Sequence, residues 1–173
     1  MEIYILRHGI AEERQSGRAD SGRKLTGAGK VKLRQVLETA RTAGVKPSLI
    51  LTSPYVRAVE TAELAATILG CADPIVHTDA LLPSSEPQAV WRVIREQAGQ
   101  TAILLAGHEP LLSEAASFLL GASWALMDLK KGALLRIDLN PLDEAPRGLL
   151  QWLLTAKLAC PSSGSLRRMP GSV

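Results

Sequence analysis

Two arginines and two histidines stand where short apolar runs give way to polar residues. Arg7 and His8 follow Ile3-Tyr4-Ile5-Leu6, Arg57 comes shortly after Leu49-Ile50-Leu51-Thr52, and His108 follows the run from Thr101 to Leu105. A neutral imidazole nitrogen is a competent nucleophile near pH 7, because its unperturbed pKa is about 6.5. Arginine offers a planar, permanently charged fork that matches phosphate. An in-line nucleophile and fixed positive charge on the equatorial oxygens are what phosphoryl transfer requires. If the three runs are strands of one parallel sheet, their carboxyl ends share an edge and the four side chains meet in one crevice. Such a crevice suits a dianion.

Each part also has a plain structural reading. A histidine at a strand end is commonly a hydrogen-bonded structural residue, Arg57 alone is an ordinary solvated side chain, and Gly107-His108 alone is a turn. A zinc site made from His8, His77 and His108 lacks any carboxylate or cysteine in ligand spacing, so no metal is expected.

The elements that would position these residues follow from punctuation and periodicity. The polar stretch Ile10 to Lys24 reads as a loop over the first strand end. Thr26 caps a helix with Leu33, Val36, Leu37 and Ala40 on one face, stopped at Gly44. Ser53 is the expected cap of a second helix, with Pro54 at its first position and Ala58, Ala62, Ala65 and Leu69 as the buried stripe before Gly70. Its first turn would hold Arg57 and aim a positive dipole end at an anion. Ile75-Val76-His77 is a brief third strand. A loop over 83–87 leads into a helix through Val90, Val93 and Ile94 that ends near Gly99, and Pro110 opens another through Leu112, Ala115, Ala116 and Leu119. Ala133 to Leu139 and Leu149 to Leu154 read as a marginal hairpin joined by a turn over 140–148. The alternation predicts an α/β fold of three layers, a mostly parallel central sheet with helices on both faces.

With 173 residues and 46% hydrophobic content, the chain has enough apolar material for one ordinary domain, placed here at 1–159, with 160–173 as a disordered Ser, Gly, Pro and Arg tail. Only 3% is aromatic, so the core is expected to be aliphatic, with the three tryptophans as anchors. A formal charge of +3 with no long basic run argues against nucleic acid as the partner. The cation-rich end (Arg147, Lys157, Arg167, Arg168) reads as a solvated tail, and a surface for an acidic partner is the second reading. Cys71 and Cys160 are too few for a disulfide framework. Arg7 and His8 interrupt the first apolar stretch, which excludes a secretory core there, and no run reaches membrane-spanning length. The expectation is a soluble cytoplasmic protein.

Taken together, Leu6-Arg7-His8-Gly9, then Thr52-Ser53-Pro54-Tyr55-Val56-Arg57-Ala58-Val59-Glu60-Thr61-Ala62, then Gly107-His108-Glu109-Pro110 resemble the histidine phosphatase superfamily, the phosphoglycerate-mutase-like enzymes. Asp20, Arg23-Lys24-Leu25-Thr26 and Gly29 further resemble its SixA-type phosphohistidine phosphatases, whose pattern usually has proline where Lys24 stands. The similarity runs in element order from Met1 to about Leu154. It implies that His8 takes up the phosphoryl group while Arg7, Arg57 and His108 hold its oxygens, with Gly9 and Arg23 as further substrate-binding positions and no cofactor. His8 should present one ring nitrogen to phosphorus while the other donates to a backbone carbonyl, that of Gly9 being one candidate.

Larger relatives add a carboxylic acid from an inserted segment. Here that stretch is short, and only Asp79 or Glu86 could fill the place. The substrate expected is phosphohistidine on a signalling protein. A small-molecule phosphomonoesterase or mutase with the same machinery is the first alternative, and a non-catalytic phosphate-binding module is the second.

Overall fold

The computed structural model describes residues 1–122, 127–139 and 145–159. Six strands form one sheet in the order β3-β2-β4-β1-β5-β6: β1 is Glu2–Arg7, β2 Leu49–Thr52, β3 Val76–His77, β4 Ala102–Gly107, β5 Leu134–Asp138 and β6 Leu149–Leu154. The first four in that order run parallel, while β5 lies antiparallel to β1 and pairs with β6 as an antiparallel edge. The sheet is thus mostly parallel, with the expected hairpin at its margin.

Five α-helices accompany it among the described residues: α1 (Gly27–Thr42), α2 (Val56–Leu69), α3 (Pro87–Glu96), α4 (Leu111–Leu119) and the short α5 (Ala156–Ala159). The apolar runs of β1 and β4 are continuous because both faces of a parallel sheet are covered. Ile3 and Ile5 point into a core shared with Val90, Trp91 and Ile94 of α3 and with the α4 stripe. Tyr4 and Leu6 point the other way, into a core with Leu33, Val36 and Leu37 of α1 and Ala62, Ala65 and Leu69 of α2. Three layers result. Trp91 is a core anchor, Trp152 is half-buried with its ring 6.1 Å from that of Tyr4, and Trp124 lies outside the described residues. So do the tail from residue 160 and most of the turn before β6.

Thr26 caps α1, its hydroxyl accepting from the Gly29 amide at 3.0 Å. Gly29 has to be glycine because a Cβ there would sit 2.1 Å from the Ile10 carbonyl oxygen. Helix α1 therefore packs directly on the backbone that follows His8. At Lys24, where proline was the usual choice, the amide donates to Glu12 Oε2 at 3.3 Å, a bond that proline could not make. The second helix departs from expectation. It begins at Val56 with Tyr55 as its N-cap residue, two positions later than the Ser53-Pro54 signal suggested. The Ser53 hydroxyl does accept from the Tyr55 amide at 3.3 Å, but it also meets His108, and residues 53–55 form a separate turn.

The register brings the strand ends level. Arg7 of β1 pairs with Gly107 of β4, and Thr52 of β2 pairs with Ala106. His8, Ser53 and His108 each stand one residue past these ends, with the His8 amide bonded to Gly107 O and the Ser53 amide to Ala106 O, both at 3.0 Å.

Candidate active site

His8 is 6% exposed and is held by two directional contacts. Its Nδ1 lies 2.7 Å from the Gly9 carbonyl oxygen, an acceptor, so Nδ1 carries the proton. Nε2 is left as a lone pair, and the Arg57 Nε–H points at it from 3.3 Å. Gly9 is fixed in turn: its amide donates to Thr61 Oγ1 at 3.2 Å, and the Thr61 hydroxyl donates to the Arg57 carbonyl one turn back on α2 at 2.6 Å.

Arg57, in the first turn of α2, is 3% exposed. Its Nη1 donates to the Asp20 carbonyl at 2.7 Å and its Nη2 to Asp20 Oδ2 at 3.0 Å. Tyr55 supports the guanidinium with its ring face, 5.0 Å from Cζ. Arg7 donates through Nη1 to Leu129 O at 2.6 Å, while its buried Nε has no partner among the described residues.

His108 is 2% exposed, its ring 5.0 Å from that of His8 and 5.1 Å from that of Tyr55. Nε2 meets Ser53 Oγ at 2.9 Å, and the buried Nδ1 has no partner among the described residues. The structure thus brings together four residues from three strand ends: Arg7 as the last residue of β1 with His8 directly after it, Arg57 in the helix that follows β2, and His108 directly after β4.

Arg23 takes a more distant place. Its Nε donates to Asp20 Oδ1 at 2.9 Å and its Nη1 to the Glu12 carbonyl at 2.7 Å. Asp79 lies in a single 3-10 turn, Asp79–Leu81, whose Leu81 carbonyl lies close to Gly107, and Glu86 is the N-cap residue of α3. No hydrogen bond among the described residues ties either carboxylate to His8 or His108. His77 is exposed on the edge strand β3, apart from the two buried histidines, and no group of three potential ligands among the described residues could hold a metal ion.

The electrostatics favour neutral imidazoles facing an anion. Burial lowers the His8 pKa to about 4, with the charges of Arg57, Arg7 and Lys131 adding to the effect and the Gly9 hydrogen bond opposing it. Burial, then the neighbouring His8 and Arg57, lowers His108 to about 3. Two neutral rings beside the guanidinium groups of Arg7 and Arg57 set an imidazole lone pair next to fixed positive charge, an arrangement able to hold an anion close to a nucleophilic nitrogen.

Four residues round the site have roles that pattern reading did not assign. The motif that contains Asp20 carries no sign of its hold on Arg57, which crosses 37 positions of sequence. Ser53 has the local pattern of a helix cap, which hides its bond to His108. Thr61 lies four positions after Arg57, on the same helix face, which is the one local signal that could have found it. Glu109 follows His108; burial raises its pKa, Ser113 Oγ donates to its Oε2, and its Oε1 is buried without a partner among the described residues.

A family model described as histidine phosphatase superfamily (branch 1) matches residues 3–82. The chain is 34% identical over 137 residues to an uncharacterized protein of Picosynechococcus sp., covering 78% of this chain and 83% of that one. Among solved structures it is similar to the protein histidine phosphatase SixA complexed with tungstate, with a TM-score of 0.79, 24% identity, and coverage of 90% of this chain and 97% of that one. It is also similar to the α-ribazole phosphatase of Shigella flexneri, with a TM-score of 0.69, 21% identity, and coverage of 90% and 97%. At these identities the two structures share a fold with this chain.

Proposed function

Because this chain belongs to the histidine phosphatase superfamily, a family of phosphatases and mutases, we propose that it is a metal-independent phosphatase that hydrolyses phosphohistidine on a protein through a covalent intermediate on His8. The observation that carries the reading is the arrangement of His8 itself: Nδ1–H is tied to Gly9 O and the Nε2 lone pair faces Arg57 Nε. That is the tautomer and orientation a nucleophile needs.

In the first step His8 Nε2 attacks phosphorus and the bond from phosphorus to the substrate ring breaks; that ring, already protonated on its other nitrogen, takes the bonding pair and leaves as neutral imidazole. Arg7, Arg57 and His108 hold the oxygens. With the Ser53 hydroxyl hydrogen given to His108 Nε2, that ring carries its own proton on Nδ1, the atom left free for a phosphoryl oxygen. In the second step water attacks the phosphohistidine, the bond from phosphorus to His8 Nε2 breaks, and inorganic phosphate leaves. Gly9 fixes the nucleophile through its carbonyl. Arg23 completes the charge at the mouth of the site from its place beside Asp20.

The leaving group supports the choice of substrate class. An imidazole has an unperturbed pKa of about 6.5 and departs without a strong acid, whereas an alkoxide needs one. The connection from β3 to α3 is only His77 to Pro87, and neither of its carboxylates is bonded to the two histidines. The likeness to SixA agrees with this reading, while the likeness to an α-ribazole phosphatase keeps small monophosphates as the second reading. Glu109 favours that second reading, since a carboxyl whose pKa is raised by burial beside His108 could hold a proton for an alkoxide. The deciding experiment is phosphate release from a defined phosphohistidine protein beside a panel of sugar phosphates and phosphorylated acids. Faster turnover of the protein supports the proposal, and faster turnover of any alkyl phosphate overturns it.

A further inference from the structure

Arg57 has three bonding edges, and the structure shows how they are divided. Asp20 takes the end of the fork with two groups of one residue, its carbonyl oxygen on Nη1 at 2.7 Å and its carboxylate Oδ2 on Nη2 at 3.0 Å. Nε–H is directed at His8 Nε2. In a planar guanidinium, the Nη2 hydrogen not facing Nη1 lies parallel to Nε–H. Fixing the far end therefore aims a parallel pair of donors at the space in front of the nucleophile, the geometry of bidentate phosphate recognition.

Asp20 is itself held on its other carboxylate oxygen. Arg23 Nε donates to Oδ1 at 2.9 Å and Arg14 Nε at 3.2 Å, while Arg14 is 76% exposed. Burial alone would raise the Asp20 pKa, but the hydrogen bond from Arg14 and the charge and hydrogen bond of Arg57 outweigh it and keep the carboxylate ionised.

We propose that Asp20 is the positioning residue of this site, turning the Nε and Nη2 edge of Arg57 toward His8 so that the phosphoryl oxygens meet a preset fork. The proposal rests on the phosphatase reading above. Removing Asp20 leaves every group that touches the phosphoryl in the chain, but it frees the guanidinium to rotate. A displacement of about 1 Å at such a group can cost on the order of 10²-fold. The rival physical reading is that Asp20 is an internal anion which an incoming phosphoryl must displace, and it predicts the opposite sign.

The test uses the full chain and two probes, vanadate binding by calorimetry and kcat/KM on a phosphohistidine protein, for the wild type, Asp20→Ala, Asp20→Asn, Arg57→Lys and the double change Asp20→Ala with Arg57→Lys. The proposal expects Asp20→Ala to weaken vanadate binding and lower kcat/KM by about 10- to 100-fold, in line with the usual cost of losing an outer-shell partner. Asp20→Asn, which keeps an acceptor oxygen, should recover part of both. In the Arg57→Lys background, where there is no fork to turn, Asp20→Ala should change either quantity less than about twofold. Unchanged or tighter vanadate binding by Asp20→Ala would overturn the proposal, and so would an equal loss in the lysine background, which would mean a general effect on the loop. A wild-type protein that binds no vanadate and releases no phosphate would overturn the phosphatase reading and the role of Asp20 with it.

Discussion

Arg57 Nε donates to His8 Nε2 at 3.3 Å. A donor can rest there only on a lone pair, so this one contact fixes His8 as a neutral ring with its proton on Nδ1 and marks the nitrogen that is free to attack. It also makes Arg57 a direct neighbour of the proposed nucleophilic nitrogen. Replacing Arg57 by alanine should lower kcat/KM by at least the ~10²–10³-fold typical of a lost oxyanion donor. Arg57→Lys should recover only part, because a point charge does not reproduce a bidentate fork. Steady-state kinetics of the two variants beside wild type checks the order, and equal activity of Arg57→Lys and wild type would refute it.

Covalent chemistry at that same nitrogen gives the second prediction. Brief reaction with labelled substrate, quenched in alkali, should leave label on His8, because phosphoramidates survive base and not acid. The label should be absent from His8→Ala and unaffected by a chelator, since in the proposed mechanism Arg7 and Arg57 supply the charge that metal ions supply elsewhere and His108 adds a neutral N–H donor. Label retained by His8→Ala would place the acceptor at another residue.

The histidine environments set a pH dependence. His8 is lowered to about 4 and His108 to about 3, both chiefly by burial. Between those values and the unfolded value near 6.5 the unfolded chain binds more protons than the folded one, so folding stability falls as pH drops through this window. For His8 the loss is on the order of 3 kcal/mol when complete, at about 1.36 kcal/mol per pKa unit. Denaturant unfolding at pH 7 and pH 4.5 should show the decline, and His108→Gln should flatten it. The acid limb of kcat/KM, once corrected for the ionisation of the substrate, should lie well below pH 6.

Much of this arrangement is written in short-range signals. Strand β2 was readable at its residues because four apolar or β-branched side chains in a row are buried on both faces of a sheet. Thr26 and Gly44 bracket α1 because a cap and a positive-φ glycine act locally. The meeting of His8, Arg57 and His108 followed from one further assumption, that the strands are parallel and end level. What did not show were contacts closed through space. The Ser53 hydroxyl serves His108 across 55 positions, which displaces the start of α2 from where a cap and proline would put it. Asp20 reaches Arg57 from a loop whose polar composition says nothing about partners. Helix α5 has only four residues, too few for a helical period to show in the sequence.

Gly29 links the fold to the site and can be tested apart from chemistry. A Cβ at position 29 would overlap the backbone of Ile10, with 2.1 Å to its oxygen, and backbone cannot yield as a side-chain tip does. Gly29→Ala should therefore cost at least the roughly 1–3 kcal/mol of ordinary overpacking. It should also move the backbone that carries His8 and Gly9. A denaturation midpoint like that of wild type, with full activity, would show that α1 does not press on the loop after β1.

The last prediction concerns the leaving group. Three carboxylates among the described residues are candidates for the acid that an alkyl phosphate needs: Asp79 in the turn after β3, Glu86 at the start of α3, and Glu109, whose pKa is raised by burial. If phosphohistidine is the substrate, the departing imidazole does not depend on any of them, because its own pKa of about 6.5 makes it a good leaving group. Asp79→Asn, Glu86→Gln and Glu109→Gln should then each leave the phosphohistidine rate within a few-fold of wild type. An alkyl ester gains roughly 10²–10⁴-fold from a placed acid, so its slow hydrolysis should fall further only in the variant that removes a working acid. Glu109→Gln is the informative case. Its Oε2 accepts from Ser113 on α4 while Oε1 is buried without a partner among the described residues, so its proton has little else to serve. A loss of alkyl phosphatase activity in Glu109→Gln, coupled with a wild-type preference for the alkyl ester, would show that the acid exists and that small monophosphates are the substrate class. A preference for the phosphohistidine protein that survives all three changes would show that the site works without an acid.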